Sequence, residues 1–268
     1  MSISDQDFLK LVQFMQDNYG IDLSKKRTLI ESRLSLHIKK MGFPSFNEFV
    51  EYAVNDTSGK AVNLLTTKLT TNYTYFMREE EHFKFLQDNI LPSLEKKLEE
   101  KDIRIWSAGC SSGEEPYTIA MTIDEYFGKT KFFWDTKVLA TDISNSMLTA
   151  AIKGEYDESR LERLPAGWVE KYFRKKEDGI YEIKEFIKNE IIFRTFNLQE
   201  DFPFKRKFHV IFCRNVMIYF NKETRIDLVK KFYDHLEPGG YLFIGHSESL
   251  NGISNDFVYV KPSVYRKE

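Results

Sequence analysis

From residue 5 to about residue 98 the apolar side chains recur three and four positions apart, the period of helices that bury one face. The spacing predicts helices over 5–19, 24–41, 45–55, 61–67 and 79–98. Ser24 and Ser45 stand where helix N-caps are wanted, and Gly42 followed by Pro44 makes a stop signal between two helices. After the charged run 95–102 the pattern changes. The segments IRIWSAG (103–109), TKVLATDI (136–143), FHVIFCR (208–214) and GGYLFIGH (239–246) are short apolar runs separated by helical stretches. That alternation predicts an α/β domain built on a mostly parallel sheet. Between the second and third runs, Asp178-Gly179 sits between two alternating segments, which predicts a hairpin and a small antiparallel β-subdomain inserted at about 170–197.

A chain of 268 residues exceeds one typical domain, and the change of period suggests where it divides. An all-helical N-terminal domain and linker would occupy 1–78, and the α/β domain 79–268. With 42% apolar, 15% aromatic and 30% charged residues, the chain has the means to build a core. A formal net charge of −2 gives no global attraction to nucleic acid or to an acidic membrane, so charge recognition must come from a local patch. The first residues lack the basic and apolar regions of a signal peptide, and no run of about 18 apolar residues occurs. Cys110 and Cys213 have no C-x-x-C spacing, and the five histidines form no i, i+4 pair, so no metal centre is expected and a reducing cytoplasm fits best. Cys213, flanked by Ile211 and Phe212, reads as a small packed residue rather than a nucleophile.

The run 103–109 enters a loop, Cys110-Ser111-Ser112-Gly113, and Glu114-Glu115-Pro116-Tyr117 opens the next helix. Glycines at 109 and 113 permit a tight turn and close backbone approach to a ligand at the carboxyl edge of the sheet. A ligand-free connection would use the same residues. The two acids argue against a pyrophosphate at this helix start and favour a cationic or hydroxyl-rich ligand, although dipole complementation alone would also place them there. The second strand ends in Ala140-Thr141-Asp142, where a carboxylate reaches ribose hydroxyls or caps a helix. Leu236-Glu237-Pro238-Gly239-Gly240 joins a helix to a late strand.

A glycine loop, an acid after the second strand and Leu-x-Pro-Gly-Gly together resemble class I S-adenosylmethionine-dependent methyltransferases with a Rossmann-like sheet. The resemblance sharpens at the run 70–79 (TTNYTYFMRE), Trp106-Ser107-Ala108-Gly109, Gly113–Tyr117, the run 212–220 (FCRNVMIYF) and Gly245-His246-Ser247-Glu248. These are similar to the chemotaxis receptor methyltransferases, the CheR family, over nearly the whole chain. The resemblance implies methyl transfer from S-adenosylmethionine to glutamate side chains of methyl-accepting chemotaxis receptors. The products would be glutamate methyl esters and S-adenosylhomocysteine, in bacterial sensory adaptation. It also implies that the interdomain segment crosses the cofactor, bringing Asn72, Thr74 and Arg78 to the methionine end. Glu115 and Asp142 would hold the amino or ribose portions, and Asn197 and Leu198 would border the adenine.

Arg214, Asn215 and Val216 follow an apolar strand and so fall near the cofactor, with Tyr219 one turn later. Arg78 is the candidate for orienting the substrate carboxylate, and Tyr219 for contacting that carboxylate or the sulfonium, with core packing as its competing role. On the second helix Lys26, Arg33, His37 and Lys40 share one side while Ile30, Leu34, Ile38 and Met41 share another. That basic side would suit the acidic helical bundle of a receptor's cytoplasmic region, or would simply be a solvated face. A nucleic-acid base methyltransferase is the rival enzyme, but Arg214-Asn215-Val216-Met217 lacks a Pro-Pro-aromatic element. A sensor that binds the cofactor without turnover is the non-enzymatic rival.

Overall fold

A computed structural model describes residues 1–70, 72–254 and 256–268; Thr71, part of the 70–79 run, lies outside the described residues. The first third is four helices: α1 (Asp5–Tyr19), α2 (Arg27–Lys40), α3 (Phe46–Asn55) and α4 (Lys60–Leu69). Their buried stripes meet in a core containing Leu11, Met15, Ile30, Leu34, Ile38, Phe49 and Leu65, all fully buried. Ser45 caps α3 through its hydroxyl, which accepts from the Glu48 N–H at 3.2 Å. Ser24 does not cap α2. Its own N–H donates to Asp22 Oδ1 at 2.9 Å in the turn before the helix, which begins at Arg27. Met41 is exposed rather than aligned with the buried row.

The single helix expected over 79–98 is interrupted. α5 (Glu81–Phe85) and α6 (Leu91–Lys97) flank a π-helical turn, Leu86–Ile90. Pro92 at the start of α6 has no N–H to donate, which fits a wide turn just before it. Met77 and Glu79 both adopt left-handed φ, 60° and 57°, so the chain cannot enter the helix until Glu81.

The remaining elements are β1 (Ile105–Ala108), α7 (Glu114–Phe127), β2 (Val138–Asp142), α8 (Asn145–Lys153), β3 (Glu155–Asp157), α9 (Trp168–Tyr172), β4 (Phe173–Lys175) and β5 (Ile180–Ile183). They continue with α10 (Glu185–Lys188), β6 (Ile191–Thr195), β7 (Phe208–Cys213), α11 (Lys222–His235), β8 (Leu236–Ile244), β9 (Phe257–Lys261) and β10 (Val264–Lys267). The main sheet runs β6-β2-β1-β7-β8-β10-β9, with its first five strands parallel and β10 antiparallel to both its neighbours, β8 and β9. Every residue of β1 and β7 is buried, as expected for central strands covered on both faces. Trp106 anchors one face, its ring packed by Phe196, Phe202, Phe204, Phe208 and Phe232. Both cysteines are buried, and burial pushes their thiols up.

The small antiparallel sheet forms, in the order β3-β5-β4, with the hairpin at Asp178-Gly179 as the turn residues demand. Its span differs from the expected 170–197. It draws its first strand from 155–157, and Ile191–Thr195 instead pairs parallel with β2 as the edge of the main sheet. β3 is only three residues long and follows Gly154 directly, so no periodicity marked it.

Candidate functional site

The crossover between β2 and β7 opens the carboxyl edge of the sheet at β1, the usual place for a ligand in such folds. There the structure has a cleft enclosing about 990 Å³ of space open to solvent. It is lined by the loop after β1 (Gly109, Cys110, Ser111), by Glu115 of α7, and by Asp142 at the end of β2 with Ile143 next to it. Phe196–Leu198 after β6 and Arg214–Val216, Tyr219 and Phe220 after β7 complete the sheet side. The linker residues Asn72–Tyr75 and Arg78 cross it, and Tyr19 and Ile21 of the helical domain close it. All eleven residues expected at the cofactor and reacting groups therefore meet in one place.

The glycine loop works by close approach. Gly109 has φ 86°, and a Cβ there would lie 2.4 Å from Val216 Cγ2. Gly113 has φ 96°, and a Cβ there would lie 2.9 Å from the Ala151 methyl and 3.0 Å from the Tyr156 hydroxyl. The two acids that follow diverge. Glu114 is fully buried and turned away from the cleft, ion-paired with Arg160 and accepting from the Ser112 hydroxyl at 2.7 Å. Glu115 faces the cleft, its Oε1 accepting from Ser107 Oγ at 2.7 Å and its Oε2 from Arg214 Nη1 at 2.9 Å. Burial raises its carboxyl above the usual range, and the Arg214 charge opposes that rise.

Asp142 accepts the Ser144 N–H on Oδ1 and the Ser111 N–H on Oδ2, both at 2.8 Å. Burial raises its pKa and these backbone N–H groups oppose the shift. It does not cap α8, a task taken by the Ser144 hydroxyl, which accepts from Met147 N. A carboxylate held from behind by two N–H groups keeps its remaining lone pairs for hydroxyl groups in the cleft.

Arg214 is nearly inaccessible. Its guanidinium donates to Glu79 Oε2 at 3.1 Å through two nitrogens, to Glu115, and to the carbonyl of Arg78. Arg78 is half-buried, donates from Nη1 to Tyr73 O at 2.7 Å, and lies 6.0 Å over the Tyr75 ring. Asn72 is tied down by Thr70 Oγ1 and by its own bond to Thr67 O, and its carbonyl accepts from Ser111 Oγ at 3.2 Å. Asn197 turns its amide nitrogen to the Asn18 carbonyl at 2.8 Å, and its side-chain oxygen accepts from Gln199 N at 3.1 Å. It thus borders the cleft while joining the two domains. Leu198 is buried beside it. The helical domain is also pinned at the reacting end, where Asp22 N donates to Tyr219 O at 2.8 Å and Ile21 bridges Phe220.

Profiles of two domains match the chain: "CheR methyltransferase, all-alpha domain" over residues 6–70 and "CheR methyltransferase, SAM binding domain" over residues 72–266. The chain belongs to the CheR methyltransferase family. It is 44% identical over 272 residues to a chemotaxis protein methyltransferase of Borreliella burgdorferi, covering all of this chain and 96% of that one. It is 37% identical over 275 residues to chemotaxis protein methyltransferase 1 of Pseudomonas aeruginosa, covering 99% of each. The family assigns S-adenosylmethionine as cofactor and chemotaxis receptors as the methyl acceptors. The chemistry of the cleft is compatible with that cofactor: a half-buried carboxylate beside a glycine loop could accept from hydroxyl groups, a second carboxylate could face positive charge, and aromatic and aliphatic walls could take a base. No described helix is long and apolar enough to cross a membrane.

Several residues in the cleft or behind it carried no signal in the sequence. Tyr19 and Ile21 belong to a helix end whose period says nothing about the sheet it will cover. Glu79 looked like a helix start, whereas its carboxylate holds Arg214. Glu79, His82 and His246 bring donor atoms within 4.8 Å of one another, a grouping that the spacing of the histidines did not suggest. Glu79 already accepts from Arg214 and from the His246 N–H, and the guanidinium charge sits where a metal ion would need that carboxylate.

Of the expected docking residues, Lys26 and Lys40 are exposed. Arg33, though exposed, donates to the Lys68 carbonyl at 3.0 Å and the Thr70 carbonyl at 3.4 Å. His37 is half-buried, with Nδ1 3.1 Å from the Arg33 carbonyl.

Proposed function

We propose that the chain transfers the methyl group of S-adenosylmethionine to glutamate carboxylates on the cytoplasmic helical bundle of chemotaxis receptors, leaving glutamate 5-O-methyl esters and S-adenosylhomocysteine. The observation that carries this reading is the convergence of Glu115, Asp142, Arg78 and Tyr219 on one cleft. Asp142 holds the ribose and Glu115 the amino group, with Asn72, Thr74, Asn197, Leu198, Asn215 and Val216 shaping the remaining walls. Arg214 binds no substrate directly. Its charge is spent on Glu79 and Glu115, so it fixes the acid that faces the cofactor.

S-adenosylmethionine supplies a methyl group activated by a sulfonium. The protein need not remove a proton, because a glutamate with a reference pKa of about 4.3 is already ionised at neutral pH. Its work is alignment. A carboxylate approaching a sulfonium loses charge as it reacts, so strong stabilisation of the anion would oppose the step, whereas correct placement accelerates it. Arg78, held by the Tyr73 carbonyl at the cleft edge, steers the incoming carboxylate. Tyr219 offers its ring and hydroxyl at the reacting end. Turnover of receptor fragments should fall in Arg78→Ala and in Tyr219→Phe; normal turnover in both would reject these roles.

The helical domain and linker, 1–78, serve as the docking part, and 79–268 as the catalytic part. Lys26 just before α2 and Arg33, His37 and Lys40 on it, together with the exposed Lys25 and Lys39, present the basic surface for an acidic receptor helix. The reaction takes place in the cytoplasm, where that receptor region lies.

A further inference from the structure

Glu248 lies outside the cleft, on the turn after β8, yet its carboxylate is committed to the loop that builds one side of it. Oε2 accepts from Asn215 N at 2.9 Å and Gly245 N at 2.6 Å, and Oε1 accepts from Ile218 N at 3.2 Å. Two of these donors stand at either end of the segment Asn215–Ile218. Arg214 immediately precedes that segment and Tyr219 immediately follows it.

The segment needs holding. Asn215 is in the left-handed region at φ 60°, a conformation that costs a non-glycine residue free energy unless its surroundings impose it. Val216, next in sequence, is the residue on which Gly109 closes. The turn that carries Glu248 is itself rigid: Glu248 N donates to Gly245 O at 2.9 Å, and Ser263 Oγ donates to the same carbonyl at 3.3 Å. Gly245 must be glycine, because a Cβ there would lie 2.3 Å from Asn215 Nδ2 and 2.8 Å from Asn215 N. β8 and its turn therefore form a fixed bracket, and Glu248 is the group through which the bracket grips the loop.

We propose that Glu248 is a positioning residue for methyl transfer, acting through the backbone of Asn215 and Ile218 to set Tyr219 at the reacting end of the cleft without touching cofactor or substrate. This rests on the role given to Tyr219 above. Three N–H donors converging on one carboxylate form charge-assisted bonds, which are stronger and more directional than those to a neutral acceptor. Burial raises the Glu248 carboxyl while those same N–H groups oppose the rise, so the ionised form that grips the loop is sensitive to loss of any one of them.

The test is a double-mutant cycle on the full-length enzyme, with Glu248→Gln and Tyr219→Phe made singly and together. kcat is measured on receptor cytoplasmic fragments, and S-adenosylhomocysteine affinity and thermal midpoint on each variant. Glutamine has the same shape but turns an N–H toward a backbone N–H, so the single change should lower kcat roughly 30-fold, the scale of one charged hydrogen bond. In the Tyr219→Phe background the same change should cost less than about threefold, because the hydroxyl, the part of Tyr219 most sensitive to placement, is already missing. Glu248→Asp, which keeps the charge on a shorter arm, should recover part of the turnover and serves in place of glutamine if that variant does not fold. Equal fold losses in both backgrounds would mean a merely structural role and would overturn the proposal while leaving Tyr219 in place. Wild-type turnover by Tyr219→Phe alone would overturn both.

Discussion

Asp142→Asn changes one atom at the centre of the site. The carboxylate already gives one lone pair to Ser144 N–H and one to Ser111 N–H, each at 2.8 Å, and presents the rest to the cleft. Asparagine keeps one oxygen; its amide nitrogen must face one of those two N–H groups, donor against donor. Hydrogen bonds to a charged acceptor contribute about 1.5–3 kcal/mol and neutral ones about 0.5–1.5, so two ribose hydroxyls lose about 2 kcal/mol between them. At about 1.4 kcal/mol per tenfold, cofactor affinity should fall roughly 30-fold. Asp142→Ala, which removes both acceptors, should cost more. The assay is titration calorimetry with S-adenosylhomocysteine, alongside steady-state kinetics with cofactor as the varied substrate. Because the ribose is held equally before and during reaction, KM for the cofactor should rise while kcat stays within a few-fold. Affinity within about threefold of wild type in both variants, with folding intact, would refute the assignment of Asp142 to the ribose.

Trp106→Ala empties the space between five aromatic rings and strips Thr141 of the indole N–H at 2.9 Å, so it should destabilise the protein by about 3–5 kcal/mol in urea unfolding. His209 is held neutral, its pKa pushed down to about 4 by burial and the Arg104 charge, while its Nδ1 accepts from Arg104 N at 3.0 Å. The unfolded chain binds a proton near pH 6.5 that the folded one refuses, so stability is full above that pH and declines as pH falls toward 4. His209→Gln should remove about 2 kcal/mol of the loss between pH 7 and pH 5, at about 1.36 kcal/mol per pH unit. His82, pushed down to about 2 by burial, should show the same sign in His82→Phe. Reversing Lys26 and Lys40 to Glu should raise KM for receptor fragments about tenfold at low salt, fading near 0.1 M where the screening length is about 10 Å, without altering S-adenosylhomocysteine binding.

Much of the cleft was legible because its parts are tied to strand ends. A strand that stops at Ala108 forces the next residues to turn, and Gly109 and Gly113 mark that turn; Asp142 and Arg214 are likewise the first polar residues past buried runs. The helical third was legible in its period, with Ser45 capping as expected, but Ser24 is drawn into a turn with Asp22, and α2 starts three residues later with Lys26 at its N-cap position and no side-chain cap bond. Glu114 and Glu115 looked equivalent, and nothing in adjacent positions could say that one would be buried against Arg160 on the small sheet's approach. The small sheet itself was half seen: the Asp178-Gly179 hairpin announces itself locally, whereas β3 is too short to show a period and β6 is fixed by its partner β2. Contacts that close the cleft from the helical domain, Asp22 to Tyr219 above all, join positions far apart in sequence. So does the grip of Glu248 on Asn215, to which nothing in the run Gly245-His246-Ser247-Glu248 itself pointed.

The central claim is tested most directly by incubating the enzyme with tritium-labelled S-adenosylmethionine and receptor cytoplasmic fragments, then measuring label on the fragment before and after mild base. The account predicts label that is released by base, as an ester must be, and that disappears from fragments whose acceptor glutamates are replaced by alanine. Base-stable label, or cofactor binding with no transfer to any receptor fragment, would contradict it.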